Sequence, residues 1–331
     1  MPVGILGIGS YLPENEVSNA DIAERVGVTE EWILRKTKIA SRRFAADDEA
    51  TSDLAARAGR AALASAGLTP DEIDTIIVST STPDSPQPPT ACLVQNLLGA
   101  RRAAAFDVNA VCSGFVHALA LAQGLVTLDP ARRVLVAAAD LYSRSLDFTD
   151  RRTATLLGDG AGAAVVGDVG EGYGIQGIDL AARGDLQALI YVQAGGTRRP
   201  ASHETVADGG HFFRMEGRLV RDFVLEHVPP ALARLVKESG ASPTEVGHIV
   251  PHQPNGAMLD ELDKQSGFPD ATLHRTVERY GNVGSASVPV TLDAAHREGA
   301  LNDGDLVLLT SFGGGMSTGH CLLRWRHLGT R

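Results

Sequence analysis

The chain repeats itself at a fixed step. Apolar runs of strand length at 73–80 (IDTIIVST) and 133–139 (RVLVAAA) recur at 246–250 (VGHIV) and 305–310 (DLVLLT). Val78 and Val250 lie 172 positions apart (250 − 78), and so do Val134 and Leu306 (306 − 134). The same step carries Ser52, where Thr51-Ser52-Asp53 offers good N-cap chemistry for a helical pattern over 52–66, to Val224, near the start of a second pattern over 223–238. Three elements at one offset predict a duplicated βα unit rather than two unrelated domains. Continuous apolar runs suit strands covered on both faces. The Gly-rich stretch 167–174 (GDVGEGYG) separates the halves, placed at 1–168 and 169–331. Pro229-Pro230 is expected to kink the second helix or split its first turns.

Composition narrows the function classes. The formal net charge of −10 leaves no basic surplus for neutralising phosphates, so nucleic acid is not an expected partner. The pairs Arg42-Arg43, Arg101-Arg102 and Arg132-Arg133 read as solvated helix ends and loops. The start, MPVGILGIGSYLPEN, lacks the basic and apolar regions of a signal peptide, and no run of 18 apolar residues predicts a membrane span. Three scattered cysteines suit a reducing, cytoplasmic setting.

In open α/β sheets, chemistry gathers beyond the C-terminal ends of strands. There the chain places Asp107-Val-Asn-Ala-Val-Cys112-Ser-Gly, Pro251-His252-Gln-Pro-Asn255, Gly281-Asn282-Val-Gly and Phe312-Gly-Gly-Gly315. Cys112 follows a strand-like run at 103–108 and opens the apolar helical pattern 115–123. A thiol at a helix start meets unpaired N–H groups and the positive end of the helix dipole, which favour the thiolate. Cys92 and Cys321, inside an apolar helix and an apolar final strand, read as core residues. His252 ends a strand in a loop that pseudo-symmetry turns toward Cys112. His248 and His252 are four apart, which on a strand spans ~13 Å, too far for one metal ion. Asn282 offers an uncharged donor beside His252, and two such donors hold a developing enolate oxygen. Gly158-Asp-Gly-Ala-Gly162 is not a dinucleotide fingerprint, and Gly313-Gly-Gly315 lacks the Lys-Ser/Thr of a phosphate loop. The latter reads as backbone brought close to another group, where an amide joins that of Cys112 as an oxyanion hole.

These motifs, Cys112-Ser-Gly-Phe, Gly158-Asp-Gly-Ala-Gly-Ala, His252-Gln-Pro-Asn, Gly281-Asn282 with Ser285-Ala-Ser, and Phe312-Gly-Gly-Gly, resemble those of the β-ketoacyl-acyl carrier protein synthase III family in order along the chain. Gly7-Ile-Gly-Ser-Tyr-Leu-Pro and Glu31-Trp32-Ile33 with Lys36-Thr37 extend the resemblance to the N-terminal region. It implies an α/β thiolase-like fold, duplicated halves in αβαβα layers. It also implies a Cys112, His252, Asn282 triad, an oxyanion hole from the N–H groups of Cys112 and Gly314, and no metal or cofactor. Cys112 would take an acyl group from acyl-CoA, and a malonyl thioester would lose CO2 and attack it. CoA would be held by residues matched here by Trp32, Lys36, Arg151, Gly217 and Asn255, with Trp32 and Arg151 sandwiching the adenine. The family is dimeric, with the region 83–90 reaching the partner's acyl pocket.

Departures from the family pattern bear on substrates. Gly256-Ala257 and Asp263-Lys264 stand where carrier-protein-using members are more basic. In the acyl pocket Gln87 replaces a common aromatic, Tyr142 a common Leu and Leu157 a common Phe. The acceptor is therefore a malonyl-acyl carrier protein, malonyl-CoA or a small molecule. An acyltransferase moving the Cys-bound group to a hydroxyl, amine or β-keto thioester is the alternative. A non-catalytic scaffold is disfavoured by the intact triad. A thiolase would want a second catalytic Cys, and Cys321 is a poor candidate.

Overall fold

In the computed structural model, which describes residues 2–329, the repeat becomes two five-stranded mixed sheets of the same topology. The first contains, edge to edge, Val3–Tyr11, Asp159–Asp168, Val134–Leu141, Thr75–Ser79 and Ala104–Val108. The second runs Gly174–Ala182, Ser317–Arg324, Leu306–Gly313, Val246–Pro251 and Thr272–Leu273. Even the register repeats. Val78 faces Ala137 in one parallel pair and Val250 faces Leu309 in the other, both one step of 172 on (250 − 78 and 309 − 137).

Two helices, Gly114–Leu128 and Ser287–Arg297, lie between the sheets. Their apolar faces share one core with both, including Phe115, Leu119, Val288 and Leu292 from the helices and Val136, Ala164, Val307 and Leu309 from the strands. Thr51–Ala66 and Thr90–Leu98 cover the outer face of the first sheet, and Gly217–Glu238 and Gly256–Gln265 that of the second. The result is the αβαβα layering of a thiolase-like fold. The segment Val111–Leu128 is apolar enough to pass as a membrane span by composition, but its helix packs between the sheets.

Three local expectations are corrected. The helix with Pro229 and Pro230 is continuous over 22 residues and begins at Gly217. The N-cap of Thr51–Ala66 is Ala50, whose N–H donates to Asp53 at 2.9 Å, while Asp84 accepts from the N–H and hydroxyl of Ser52 at 2.9 and 2.7 Å. Arg42 is not a solvated loop cation. It is fully buried, donating to Asn19 Oδ1 at 2.8 Å and the Thr155 carbonyl at 2.9 Å, and burial lowers its pKa to about 10.

Candidate active site

Cys112 sits in a tight turn, Val111–Ser113, that leads into the central helix Gly114–Leu128. The residue before it, Val111, has φ of 49°, a left-handed conformation costly for a β-branched side chain. The turn is pinned by the Ser113 hydroxyl to Ala110 O at 2.7 Å and to Ser317 Oγ at 2.8 Å. The glycine loop lies directly on the nucleophile: a Cβ on Gly313 would fall 2.7 Å from the Cys112 nitrogen and 2.9 Å from its Cβ. Only a glycine permits that approach, as the sequence implied. Among the described residues, neither the Cys112 nor the Gly314 N–H donates in a loop or turn hydrogen bond, so both amides are free for a ligand oxygen.

The expected thiolate is not what the surroundings favour. Burial, and next the nearby Asp140 carboxylate, push the Cys112 thiol up to about 12, while Tyr142 acts the other way. The positive end of the helix Gly114–Leu128 opposes this shift.

His252 follows the strand Val246–Pro251 and is 3% exposed. Its backbone N–H donates to Thr310 O at 2.7 Å, and Phe312 meets the ring edge-on at 5.3 Å. Burial lowers its pKa to about 3, with the Gly284 backbone opposing, so the imidazole is neutral at physiological pH. Nδ1 is buried without a partner, which leaves Nε2 as the nitrogen that serves the cavity. Asn282 is held on both sides by the first half: its N–H donates to Leu156 O at 2.8 Å and its carbonyl accepts from Gly158 at 2.9 Å. Its Oδ1 accepts from the Gly284 N–H at 3.0 Å, which frees its NH2 as a donor.

Cys112, His252 and Asn282 line one cavity of about 180 Å³, together with Leu157, Gly217 and Asn255 from the expected set. The arrangement joins a thiol, a neutral ring N–H donor and an amide donor in a largely apolar space, as acyl capture and enolate stabilisation require. Trp32 and Arg151 meet away from it, with the guanidinium 5.4 Å from the ring centroid. Lys36 is exposed on the same helix as Trp32, Glu30–Thr37. Asn255 also caps the helix Gly256–Gln265 by accepting from Met258 N at 2.8 Å. Tyr142 is buried edge-on to Phe213 at 5.5 Å, and Gln87 lies on an exposed loop outside its own chain's cavity. No group of three or more metal-ligating side chains exists among the described residues.

Sequence reasoning missed Arg152, Phe213, Met215 and Met258, which also line the cavity. Phe213 and Met215 come from the strand Phe213–Met215, one step of 172 from Ser41–Arg43 (213 − 41), and both strands belong to small two-stranded sheets; three residues are too few to show a strand pattern in the sequence.

The family models for "3-Oxoacyl-[acyl-carrier-protein (ACP)] synthase III" and for its C-terminal part match residues 106–184 and 236–325. Acetoacetyl CoA synthase NphT7 of Streptomyces sp. (strain CL190) is 51% identical over 97% of this chain and 98% of its own. Beta-ketoacyl-[acyl-carrier-protein] synthase III of Caldanaerobacter subterraneus subsp. tengcongensis is 42% identical over 97% of each chain. The crystal structure of 3-oxoacyl-[acyl-carrier-protein] synthase III from Aquifex aeolicus VF5 superposes with a TM-score of 0.89 at 35% identity, covering 98% of this chain and 100% of that one.

Proposed function

The chain belongs to the 3-oxoacyl-[acyl-carrier-protein] synthase III family of decarboxylative condensing acyltransferases, and from that premise we propose that it joins a short acyl group from acyl-CoA to malonyl-CoA, making a β-ketoacyl-CoA for specialised metabolism. Cys112 Sγ attacks the acyl-CoA carbonyl, and the N–H groups of Cys112 and Gly314 hold the oxyanion. The proton of the thiol ends on the departing CoA sulfur. Malonyl-CoA then loses CO2. The enolate oxygen is held by His252 Nε2–H and the Asn282 NH2; its carbon attacks the acyl-Cys112 carbonyl, the C–S bond breaks, and the Cys112 thiolate that leaves takes a proton from water. Trp32 and Arg151 hold the adenine, Lys36 its phosphates, and Gly217 and Asn255 the pantetheine arm. Tyr142 and Leu157 close the acyl pocket, and Gln87 does so in the partner subunit.

The observation that carries the choice of acceptor is the charge around the cavity mouth. The helix Gly256–Gln265 starts at the cavity and carries Asp260, Glu261 and Asp263. Asp260 pairs with Lys38 and, at 2.7 Å, with Arg275, and Glu261 pairs with Arg221. Lys38, Arg221 and Arg275 are thus held by the chain's own carboxylates, which leaves Arg218 and Lys264 as the weaker remainder of a steering surface for an acidic carrier protein. The Streptomyces relative, an acetoacetyl CoA synthase, points the same way.

Two further parts of the reading concern assembly and place. The edge strand Ala104–Val108 leaves Phe106 37% exposed, beside exposed Leu121 and Leu128 on the adjoining helix. An unpaired edge with apolar flanks suits a homodimer. The halves 1–168 and 169–331 are the proposed units of the duplication. Three free cysteines suit the cytoplasm.

The test is direct. Load Cys112 with an acetyl group, then offer malonyl-CoA and malonyl-acyl carrier protein in turn. Turnover with malonyl-CoA that tolerates salt is expected. Fast, salt-sensitive turnover with the carrier protein alone would overturn the choice of acceptor.

A further inference from the structure

A carboxylate sits behind the nucleophile where it makes the thiolate harder to form. Asp140, at the end of the strand Val134–Leu141, is 0% exposed. Burying a carboxylate is costly unless its oxygens are fully hydrogen-bonded. Here they are, and the partners divide by oxygen. Oδ1 accepts from Ser81 N at 2.8 Å, Ser81 Oγ at 3.0 Å, Thr80 Oγ1 at 3.3 Å and Thr82 Oγ1 at 3.4 Å, all in the first half. Oδ2 accepts from Ser285 N at 2.7 Å and Ser285 Oγ at 2.8 Å, in the second half.

Ser285 belongs to the turn that carries Asn282. Gly284, just before it, donates to Asn282 Oδ1 at 3.0 Å. That turn is pressed onto the carboxylate: a Cβ on Gly284 would fall 2.3 Å from Asp140 Oδ2 and 2.5 Å from Tyr142 Cε2. On the other side, Ser81 Oγ lies 2.7 Å from the Tyr142 hydroxyl.

We propose that Asp140 is a positioning residue for the condensation half-reaction, gripping Ser285 so that Gly284 sets the Asn282 amide at the enolate. The carboxylate anchors in the first-half segment Thr80-Ser81-Thr82 and acts on the second-half turn. A carboxylate is required because both its oxygens accept; an amide in its place would set an N–H against either Ser81 N–H or Ser285 N–H. The inference rests on Asn282 and His252 serving condensation.

The experiment separates the two half-reactions in the full chain. Acylation of Cys112 by acetyl-CoA is followed by intact mass, and CO2 release from malonyl-CoA by coupled assay, for Ser285→Ala, Asp140→Asn and Asn282→Ala. Ser285→Ala keeps the backbone N–H and loses one hydroxyl. It should acylate within about twofold of the parent while condensation falls on the order of tenfold. Asp140→Asn should show the same split more steeply, and its acylation reports whether it has folded. Equal loss in both half-reactions for Ser285→Ala, or no loss in either, would overturn the proposal provided Asn282→Ala itself loses condensation. Should Asn282→Ala condense normally, the reading of the site falls first.

Discussion

The two turns that open the central helices share a backbone and carry different side chains. Val111–Ser113 corresponds to Gly284–Ala286 at a step of 173 (284 − 111), one more than that of the strands, so Ser285 stands opposite Cys112. Each turn carries one left-handed residue, Val111 at φ 49° and Gly284 at φ 59°. In the first half the strain falls on a valine beside a buried thiol. In the second it falls on a glycine whose missing Cβ lets Asp140 and Tyr142 come into contact. Under the proposed function the difference would divide a two-step reaction between the copies. One turn would present the nucleophile to a thioester carbonyl. The other, with no side chain at Gly284, would hold Asn282 as a donor.

The largest effect that could break this division is on the nucleophile. Cys112→Ala should abolish the acyl adduct seen by intact mass with acetyl-CoA and lower turnover by roughly a thousandfold or more. An adduct that survives would move the acyl site elsewhere. Next is the glycine of the second turn. Gly284→Ala places a methyl group into Asp140 and keeps a positive φ, and should destabilise by about 3 kcal/mol in denaturant unfolding. Gly170→Ala also has positive φ, 83°, but meets nothing within 4 Å, and should cost only about 1 kcal/mol. Equal losses would mean that backbone conformation, not contact with Asp140, explains the glycine.

The halves should differ in CoA binding as well. Trp32 and Arg151 both belong to the first half, so Trp32→Ala should weaken acetyl-CoA use by about tenfold or more, since base stacking is worth about 1–3 kcal/mol in nucleic-acid cases. It should matter far less with an acetyl-pantetheine thioester, and equal losses with both donors would remove Trp32 from the site. A smaller signature lies in the thiol. With its pKa raised to about 12, the thiolate fraction grows about tenfold per pH unit throughout the range below that value. Alkylation of Cys112 by iodoacetamide should rise steadily from pH 6 to 9. A plateau below pH 8 would show a thiolate favoured by the helix start after all.

Much of this was legible in the chain because repetition writes itself twice. The strands at 75–79, 134–141, 246–251 and 306–313 were visible as apolar runs, and their common offset predicted the second sheet from the first. Cys112, His252 and Asn282 were found at strand ends and helix starts, where the fold gathers them. What stayed hidden has no such pattern. Phe213 and Met215 sit on a strand of three residues, too short to show an alternating pattern. Asp140 was unreadable because its partners, Ser81 and Ser285, lie 59 and 145 positions away. Arg42 looked solvated because its buried acceptors, Asn19 and the Thr155 carbonyl, are equally remote. The burial that pushes the Cys112 thiol up was not legible either, because burial is set by the whole fold and helix position is local.

The division of labour between the two turns is tested most directly by following one acyl group through His252→Ala and Asn282→Ala. Each variant is mixed with acetyl-CoA, its mass is measured, and malonyl-CoA is then added while CO2 and the mass are followed. The account predicts that acetyl-Cys112 forms in both variants and persists, with condensation lowered roughly a hundredfold or more. Acylation lost in the same proportion as condensation would contradict it, because the second turn would then be serving the first half-reaction too.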